Sequence, residues 1–293
     1  MTVARVLFLA RYRVPHACLS LQFDHYLKGI DRTVIATPMT SDELEPIFAK
    51  YNIDTSNFEY VADQDIFPKY PEIANWVFED DYRGWWLRQQ AIKLSVLDCL
   101  NYDVMLMQDP DTFMIEPYYC FDQGQLTYCV LENTTHGSYE GMIESIFGFP
   151  RQTQHCFITE FVPCMKQDIT AMKQFLEKKY NMHWLDALIQ NTKTMPTIPP
   201  WGNGELIKWF SEYEVIGNWT MTQRPVNFVF QRRVEYDQME KLSLLTRQFN
   251  AVADAVPDLS RSLQFDWDRL EVVDFDHWLA IINQQISNDN TVA

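Results

Sequence analysis

The sequence is poor in basic residues relative to acidic ones. It carries 24 lysines and arginines against 40 aspartates and glutamates, which gives a net charge of −16 over 293 residues. A protein that binds duplex nucleic acid needs a cationic surface to displace counterions from the phosphates, and an anionic membrane makes a similar demand. The sequence therefore argues against both as main partners. It leaves a nucleotide ligand open, because a divalent cation can supply positive charge locally.

Long apolar runs and paired cysteines are also lacking. The N-terminal run VLFLA is too short for a signal peptide or a membrane span, and no later run reaches the roughly 18 apolar residues that a span needs. The six cysteines are scattered without a C-x-x-C pair, and several lie in apolar runs, where a reduced cysteine behaves as a small hydrophobe. We expect a soluble, cytoplasmic protein with no membrane span.

Strand-like and helix-like segments alternate in the first half of the sequence. Apolar runs predict strands over residues 3–10, 32–37, 57–62 and 103–108, and amphipathic segments predict helices over 18–29, 40–51 and 85–100. Strands that alternate with helices need crossover connections, which favours an α/β fold with a mixed, mostly parallel sheet flanked by helices. In such sheets, ligands bind outside the carboxyl ends of the strands.

The second half is less regular. Its strand candidates are residues 125–132, 155–163 and 226–233, and its helix candidates are 138–149, 165–180, 205–217, 237–254 and 267–285. No composition shift marks a domain boundary. We predict a single domain over residues 1–286 that ends in a C-terminal helical elaboration, followed by a tail over 287–293.

The segment DVMLMQDPDTF carries the most chemical information. An apolar strand runs directly into Asp109 and Asp111, so both carboxylates are expected at the ligand-binding edge of the sheet. Hard oxygen ligands suit Mg²⁺ or Mn²⁺, which bind jointly to protein carboxylates and substrate phosphate. The alternative is a solvated turn built on Asp-Pro.

The helix just upstream is predicted to pack beneath this strand. Its apolar face is supplied by Leu87, Ala91, Leu94, Val96 and Leu97, and Arg88, Gln89 and Lys93 fall elsewhere. Arg88 or Lys93 could then contact a phosphate, Arg88 with the better bidentate geometry. The alternative is that both are solvated helix residues.

Three segments together support a family resemblance: GWWLRQQAIKL, MQDPDTF and FSEYEVIGNW. In order and spacing they resemble a family of GT-A-type glycosyltransferases, most of whose members are uncharacterised, over about residues 84–219. The resemblance implies a GT-A-like (Rossmann-like) fold with residues 1–131 as the nucleotide-sugar-binding half and 132–286 as the acceptor half. It also implies functional roles for several residues: Asp109 and Asp111 match the metal pair, Gln89, Gln90 and Lys93 the donor-side helix, and Glu212 and Tyr213 the acceptor-side motif.

One segment departs from the family pattern. Members often carry histidines after an F-I-T step, whereas HCFITEFVP has Glu160 and Phe161 there, with His155 displaced upstream. We therefore assign no histidine role in this segment. A further metal ligand could come from a histidine, and the sequence does not choose among His136, His155, His183 and His277.

An inverting transfer needs a carboxylate that takes the proton from the acceptor hydroxyl. The candidates are Glu212, which ranks first, Glu160, which ranks second, and Glu205. Aromatic rings stack on sugar faces, so Trp201, Tyr213 and Trp219 are the predicted acceptor contacts, although a Trp that fills the core is comparably common.

The combined hypothesis is a metal-dependent glycosyltransferase that uses Mn²⁺ or Mg²⁺, a UDP- or GDP-linked sugar donor and a carbohydrate acceptor. One alternative is a non-catalytic nucleotide- or sugar-binding protein on the same scaffold. A phosphatase of the haloacid-dehalogenase type is a weaker one, because that class needs Asp-x-Asp-x-Thr and Thr112 here directly follows Asp111.

Overall fold

The structure is a computed structural model. It describes residues 1–70, 82–110, 112–114, 117–131, 141–159, 161–194, 210–231, 246–248, 265–266, 271–272, 276, 279–280, 283–284 and 287.

The strands are β1 (Val3–Phe8), β2 (Leu27–Lys28), β3 (Arg32–Thr37), β4 (Phe58–Ala62), β5 (Val104–Gln108), β6 (Thr112–Met114), β7 (Tyr118–Tyr119), β8 (Phe121–Asp122), β9 (Gln125–Leu131), β10 (Phe161–Met165), β11 (Asn227–Gln231), β12 (Thr246–Gln248), β13 (Phe265–Asp266) and β14 (Glu271–Val272). The α-helices are α1 (Val14–Leu21), α2 (Ser41–Lys50), α3 (Asp63–Ile66), α4 (Tyr82–Val96), α5 (Met142–Phe147), α6 (Lys166–Tyr180), α7 (Trp184–Thr194) and α8 (Glu212–Gln223).

A five-stranded sheet of order β10-β5-β1-β3-β4 forms the centre of the fold. Strands β5, β1, β3 and β4 run parallel, and β10 pairs antiparallel with β5. All five residues of β5 are buried. The predicted mixed, mostly parallel sheet flanked by helices is confirmed, and Asp109 follows directly after an interior strand.

The sheet is apolar on both faces because helices cover both. Side chains alternate along each strand, so Val6 and Val34 enter one core cluster and Leu7 and Ile35 enter the other. A strand that is buried on both faces becomes a continuous apolar run, and for this reason the runs in the sequence predicted these strands. Thr40 caps α2 through a capping box with Glu43.

Several element boundaries differ from the sequence prediction. The helix predicted over 18–29 ends at Leu21 in α1, a short 3-10 turn follows at Asp24–Tyr26, and the helix predicted over 205–217 begins at Glu212 behind its cap Ser211. A helix was predicted over 237–254, but residues 246–248 form β12, because pairing with β6 overrides local helix propensity. In the predicted helix 267–285, residues 271–272 are a strand, and helix occurs at 276, 279–280 and 283–284.

The buried histidine of α1 makes the stability of the protein depend on pH. His16 is 6% exposed, and burial, assisted by Arg13, lowers its pKa to about 4. The unfolded chain, with an ordinary histidine pKa near 6.5, therefore binds a proton at a higher pH than the folded chain does, so acidification favours unfolding.

We expect the free energy of unfolding to fall below pH 6.5 by up to about 1.4 kcal/mol per pH unit from this residue, until its folded pKa is reached. Urea unfolding of wild type and His16→Gln between pH 7 and pH 4.5 measures the effect. The variant should show the shallower slope, and equal slopes would contradict the assignment to His16.

Candidate functional site

The turn after β5 is fixed by backbone and side-chain hydrogen bonds. The amide of Thr112 donates to the carbonyl of Asp109 at 3.2 Å, and Pro110 follows Asp109 in a turn. The carbonyl of Thr112 accepts from Ser20 Oγ and Gln108 Nε2, both at 2.5 Å. Asp109 is thus held at the carboxyl edge of the sheet.

A buried lysine lies against Asp109. Nζ of Lys93, on α4, is 2.6 Å from Oδ1 of Asp109 and 2.7 Å from Oε1 of Glu212, and it donates to the Tyr213 hydroxyl at 3.1 Å. The same nitrogen lies 4.6 Å from the centre of the Tyr213 ring and 5.8 Å from that of Phe8. These residues and Gln90 form one cluster, which we call the Lys93 cluster.

Gln90 completes the inner side of the Lys93 cluster. It lies one helical turn before Lys93, and its amide packs against the Glu212 carboxylate. When the amide is oriented by hydrogen bonding, its nitrogen donates to both carboxylate oxygens of Glu212. Glu212 is therefore bound from two positions of the same helix.

The electrostatics of the cluster follow from one ammonium group facing two carboxylates. Burial alone would lower the pKa of Lys93, but Asp109 and Glu212 outweigh it and raise that pKa above its usual value. Burial, with help from Asp109, raises the pKa of Glu212 in spite of the opposing Lys93 charge. Lys93 therefore stays charged, and the carboxylate of Glu212 binds a proton more readily than that of an ordinary glutamate.

Burial separates the strand-end carboxylate from the other two charges. Glu212 is 2% exposed and Lys93 1%, whereas the side chain of Asp109 is 18% exposed. The carboxylate that reaches solvent is thus the one at the strand end. Its carboxylate oxygens are the hard ligands that a divalent cation takes, which makes Asp109 the metal-ligand candidate among the described residues.

The donor-side residues predicted on α4 occupy different environments. Lys93 was predicted to lie off the apolar face, but it is buried, as is Gln90, whereas Arg88 and Gln89 are half-buried. The guanidinium of Arg88 lies 5.5 Å from the centre of the Phe67 ring. Helical spacing could have predicted this burial. One face of the helix, with the i, i+3, i+4, i+7 pattern, is formed by Gln90, Lys93, Leu94 and Leu97.

The face of α8 that carries Glu214 and Asn218 holds the loop before β10. Arg151 binds Glu214 with nitrogen–oxygen distances of 2.9–3.2 Å, and Glu214 also accepts from the Phe157 amide at 3.0 Å. The Gln152 amide donates to Asn218 Oδ1 at 2.8 Å. The pairing of Glu214 with Arg151 leaves no signal in the sequence, because no local pattern links residues this far apart. A cleft of about 390 Å³ lies beside this loop, lined by Gly141, Ile143, Glu144 and residues 150–154.

The aromatic residues predicted to contact an acceptor are buried where the structure describes them. Trp219 is 5% exposed, donates through Nε1 to the Asp168 carbonyl at 2.9 Å, and packs against the rings of Phe147 and Phe175. Tyr213 belongs to the Lys93 cluster. An acceptor contact by either ring would require it to leave these partners.

Other predicted site residues lie apart or outside the described residues. His155 packs against the rings of Phe228 and Phe230, and His183 packs against those of Tyr70 and Trp184. Asp111, His136, Glu160, Trp201, Glu205 and His277 lie outside the residues that the structure describes. Within the described ranges, no three acidic, histidine or cysteine side chains group closely enough to hold a metal ion.

The fold and the Lys93 cluster define a mixed α/β protein with a lysine-paired carboxylate at the carboxyl edge of its sheet. A model of a family described as "Family of unknown function (DUF6492)" matches residues 11–250, so the chain belongs to this family. No curated protein matches it. Across the described part of the chain, no helix combines the length and apolar character needed to cross a membrane.

Two solved structures of LgtC are similar to this chain. An active-site mutant of LgtC shows 16% identity and a TM-score of 0.41, over 64% of this chain and 69% of that one. The galactosyltransferase LgtC in complex with donor and acceptor sugar analogs shows 13% identity and a TM-score of 0.40, over the same shares of the two chains.

The packing of α8 predicts that a single added methyl group will destabilise the protein. A Cβ on Gly217 would lie 2.5 Å from the ring of Phe157, which is fully buried. We expect Gly217→Ala to lower the free energy of unfolding by about 1–3 kcal/mol in urea titration. The double variant with Phe157→Leu tests the cause, because relief of the clash makes it less destabilised than the sum of the two single variants. Additive effects would place the cause elsewhere.

Proposed function

We propose that the protein is a metal-dependent glycosyltransferase of the GT-A type, which moves a sugar from a nucleotide donor to a hydroxyl acceptor. The observation that supports this most is the position of Asp109, partly exposed at the carboxyl end of an interior parallel strand. Ligands of open α/β sheets bind at that edge. The D-P-D sequence and the family resemblance of the three sequence segments point to the same activity.

Asp109 and Asp111 would hold Mn²⁺ or Mg²⁺ together with the donor diphosphate. The cation would neutralise the diphosphate as the sugar leaves. Because Lys93 is held by oxygen partners, Arg88 and Gln89 are the remaining α4 candidates for contact with the donor. A UDP- or GDP-linked sugar and a carbohydrate acceptor complete the proposal.

The metal site is tested by binding. Asp109→Asn combined with Asp111→Asn should abolish the Mn²⁺-dependent rise in melting temperature that a nucleoside diphosphate gives to wild type, because both proposed ligands lose their charge. Asp122→Asn, at an exposed position on β8, is the control and should behave as wild type. Unchanged nucleotide and metal binding by the double variant in calorimetry would move the site elsewhere.

The choice of catalytic base lies between Glu212 and Glu160. Glu212 has the raised pKa that suits a base, but it is nearly inaccessible and paired with Lys93. Glu160 directly precedes β10, which lies beside β5 in the sheet. We favour Glu160 as the group that touches the acceptor hydroxyl.

Isosteric substitutions distinguish the two. Glu160→Gln should lower the transfer rate by roughly a hundredfold with donor affinity and melting temperature unchanged, as expected when a base is lost. Glu212→Gln should lower the melting temperature and change metal binding. The opposite pattern, a rate loss confined to Glu212→Gln, would make Glu212 the base.

The main rival is a protein that binds nucleotide or sugar without catalysis. It predicts donor affinity with no metal-dependent hydrolysis or transfer of the nucleotide sugar. A phosphatase would instead hydrolyse para-nitrophenyl phosphate. Incubating the protein with UDP- and GDP-sugars and Mn²⁺, then detecting released nucleotide, separates the three.

A further inference from the structure

The Lys93 cluster joins three distant segments at one nitrogen. Lys93 is on α4, Asp109 follows β5, and Glu212 begins α8, 119 residues beyond the lysine. An ammonium group has three N–H donors, and three oxygens lie within hydrogen-bonding distance of Nζ. Lys93 thus makes hydrogen bonds to Glu212 and Tyr213 and an ion pair with Asp109.

The position of each charge gives it a different effect on Asp109. Lys93 touches Asp109 directly, so its positive charge opposes a second cation at that carboxylate. Glu212 contacts the same nitrogen and offsets part of that positive charge. Removing either residue damages the same cluster, but the two removals change the potential at Asp109 in opposite directions.

We propose that Lys93 is a positioning residue that neutralises Asp109 before the donor arrives, and that Glu212 and Gln90 hold it there. This inference rests on the proposed glycosyl transfer and its metal pair. Its consequence is ordered binding, in which a bare divalent cation binds weakly and the cation binds well only with a diphosphate that brings its own negative charge. In this arrangement Glu212 acts through Lys93 and does not contact the substrate.

The two substitutions should therefore shift bare-metal affinity in opposite directions. Lys93→Met removes the competing charge and should tighten Mn²⁺ binding without nucleotide by roughly tenfold, whereas Glu212→Gln should weaken it. Both should lower the melting temperature measured in chelator. Free Mn²⁺ is followed by electron paramagnetic resonance, with and without a nucleoside diphosphate.

Two variants serve as controls. Lys173 is also buried, lies 2.6 Å from Asp98, and has its Nζ 4.4 Å from the ring centre of Trp184. Lys173→Met should therefore lower stability without changing Mn²⁺ affinity. Lys93→Arg keeps the charge and should keep bare Mn²⁺ binding weak.

Each outcome decides a different question. Opposite shifts for Lys93→Met and Glu212→Gln support the proposal. If both variants lose Mn²⁺ affinity, the cluster is only structural and the inference fails, while the proposed function stands. If wild type binds no Mn²⁺ even with nucleotide, the proposed function falls and the inference with it. Should Lys93→Met not fold, the isosteric Glu212→Gln decides, and unchanged or tighter bare-metal binding by that variant overturns the inference.

Discussion

The pairing of Lys93 with two carboxylates is the interaction on which the rest of the site depends. A lysine that is almost wholly buried loses its hydration, and only close oxygen partners make that loss tolerable. The partners come from a strand end and from a helix far along the chain, so the cluster forms only when α4, β5 and α8 are all in place. The outer carboxylate of the site is therefore positioned by the completed fold and not by its own turn alone.

Helix α8 carries several polar residues that are buried rather than exposed at the surface. Ser211 caps its first turn, Glu212 faces α4, and Glu214 faces Arg151 and the backbone before β10. Gly217 gives the Phe157 ring room to approach the helix backbone. The residues of S-E-Y-E-x-x-G-N-W thus connect both halves of the chain, a role that the motif alone cannot distinguish from acceptor binding.

The sequence was most informative where local pattern and tertiary environment agree. Strands buried on both faces appear as apolar runs, and the position of Asp109 follows from the run that ends before it. Burial of Lys93 was missed because a lysine is ordinarily a surface residue, and its compensating charges are remote in sequence. Strand β12 was missed for a related reason: its pairing with β6 is non-local and leaves no periodicity of its own. Contacts between distant segments decide these cases, and a local pattern does not contain them.

The strongly acidic composition gives the internal lysine a further significance. Around a protein of net charge −16 the average field attracts cations, and the strand-end carboxylate of Asp109 adds to that attraction locally. Lys93, fixed at 2.6 Å from Asp109, lowers the attraction of that carboxylate for a cation, and it leaves the rest of the acidic surface unchanged. In the proposed function, the donor diphosphate would restore the negative charge that attracts the cation. Charge balance at the site would then couple metal binding to donor binding. The buried side chain of Lys93 would produce this coupling without a conformational change.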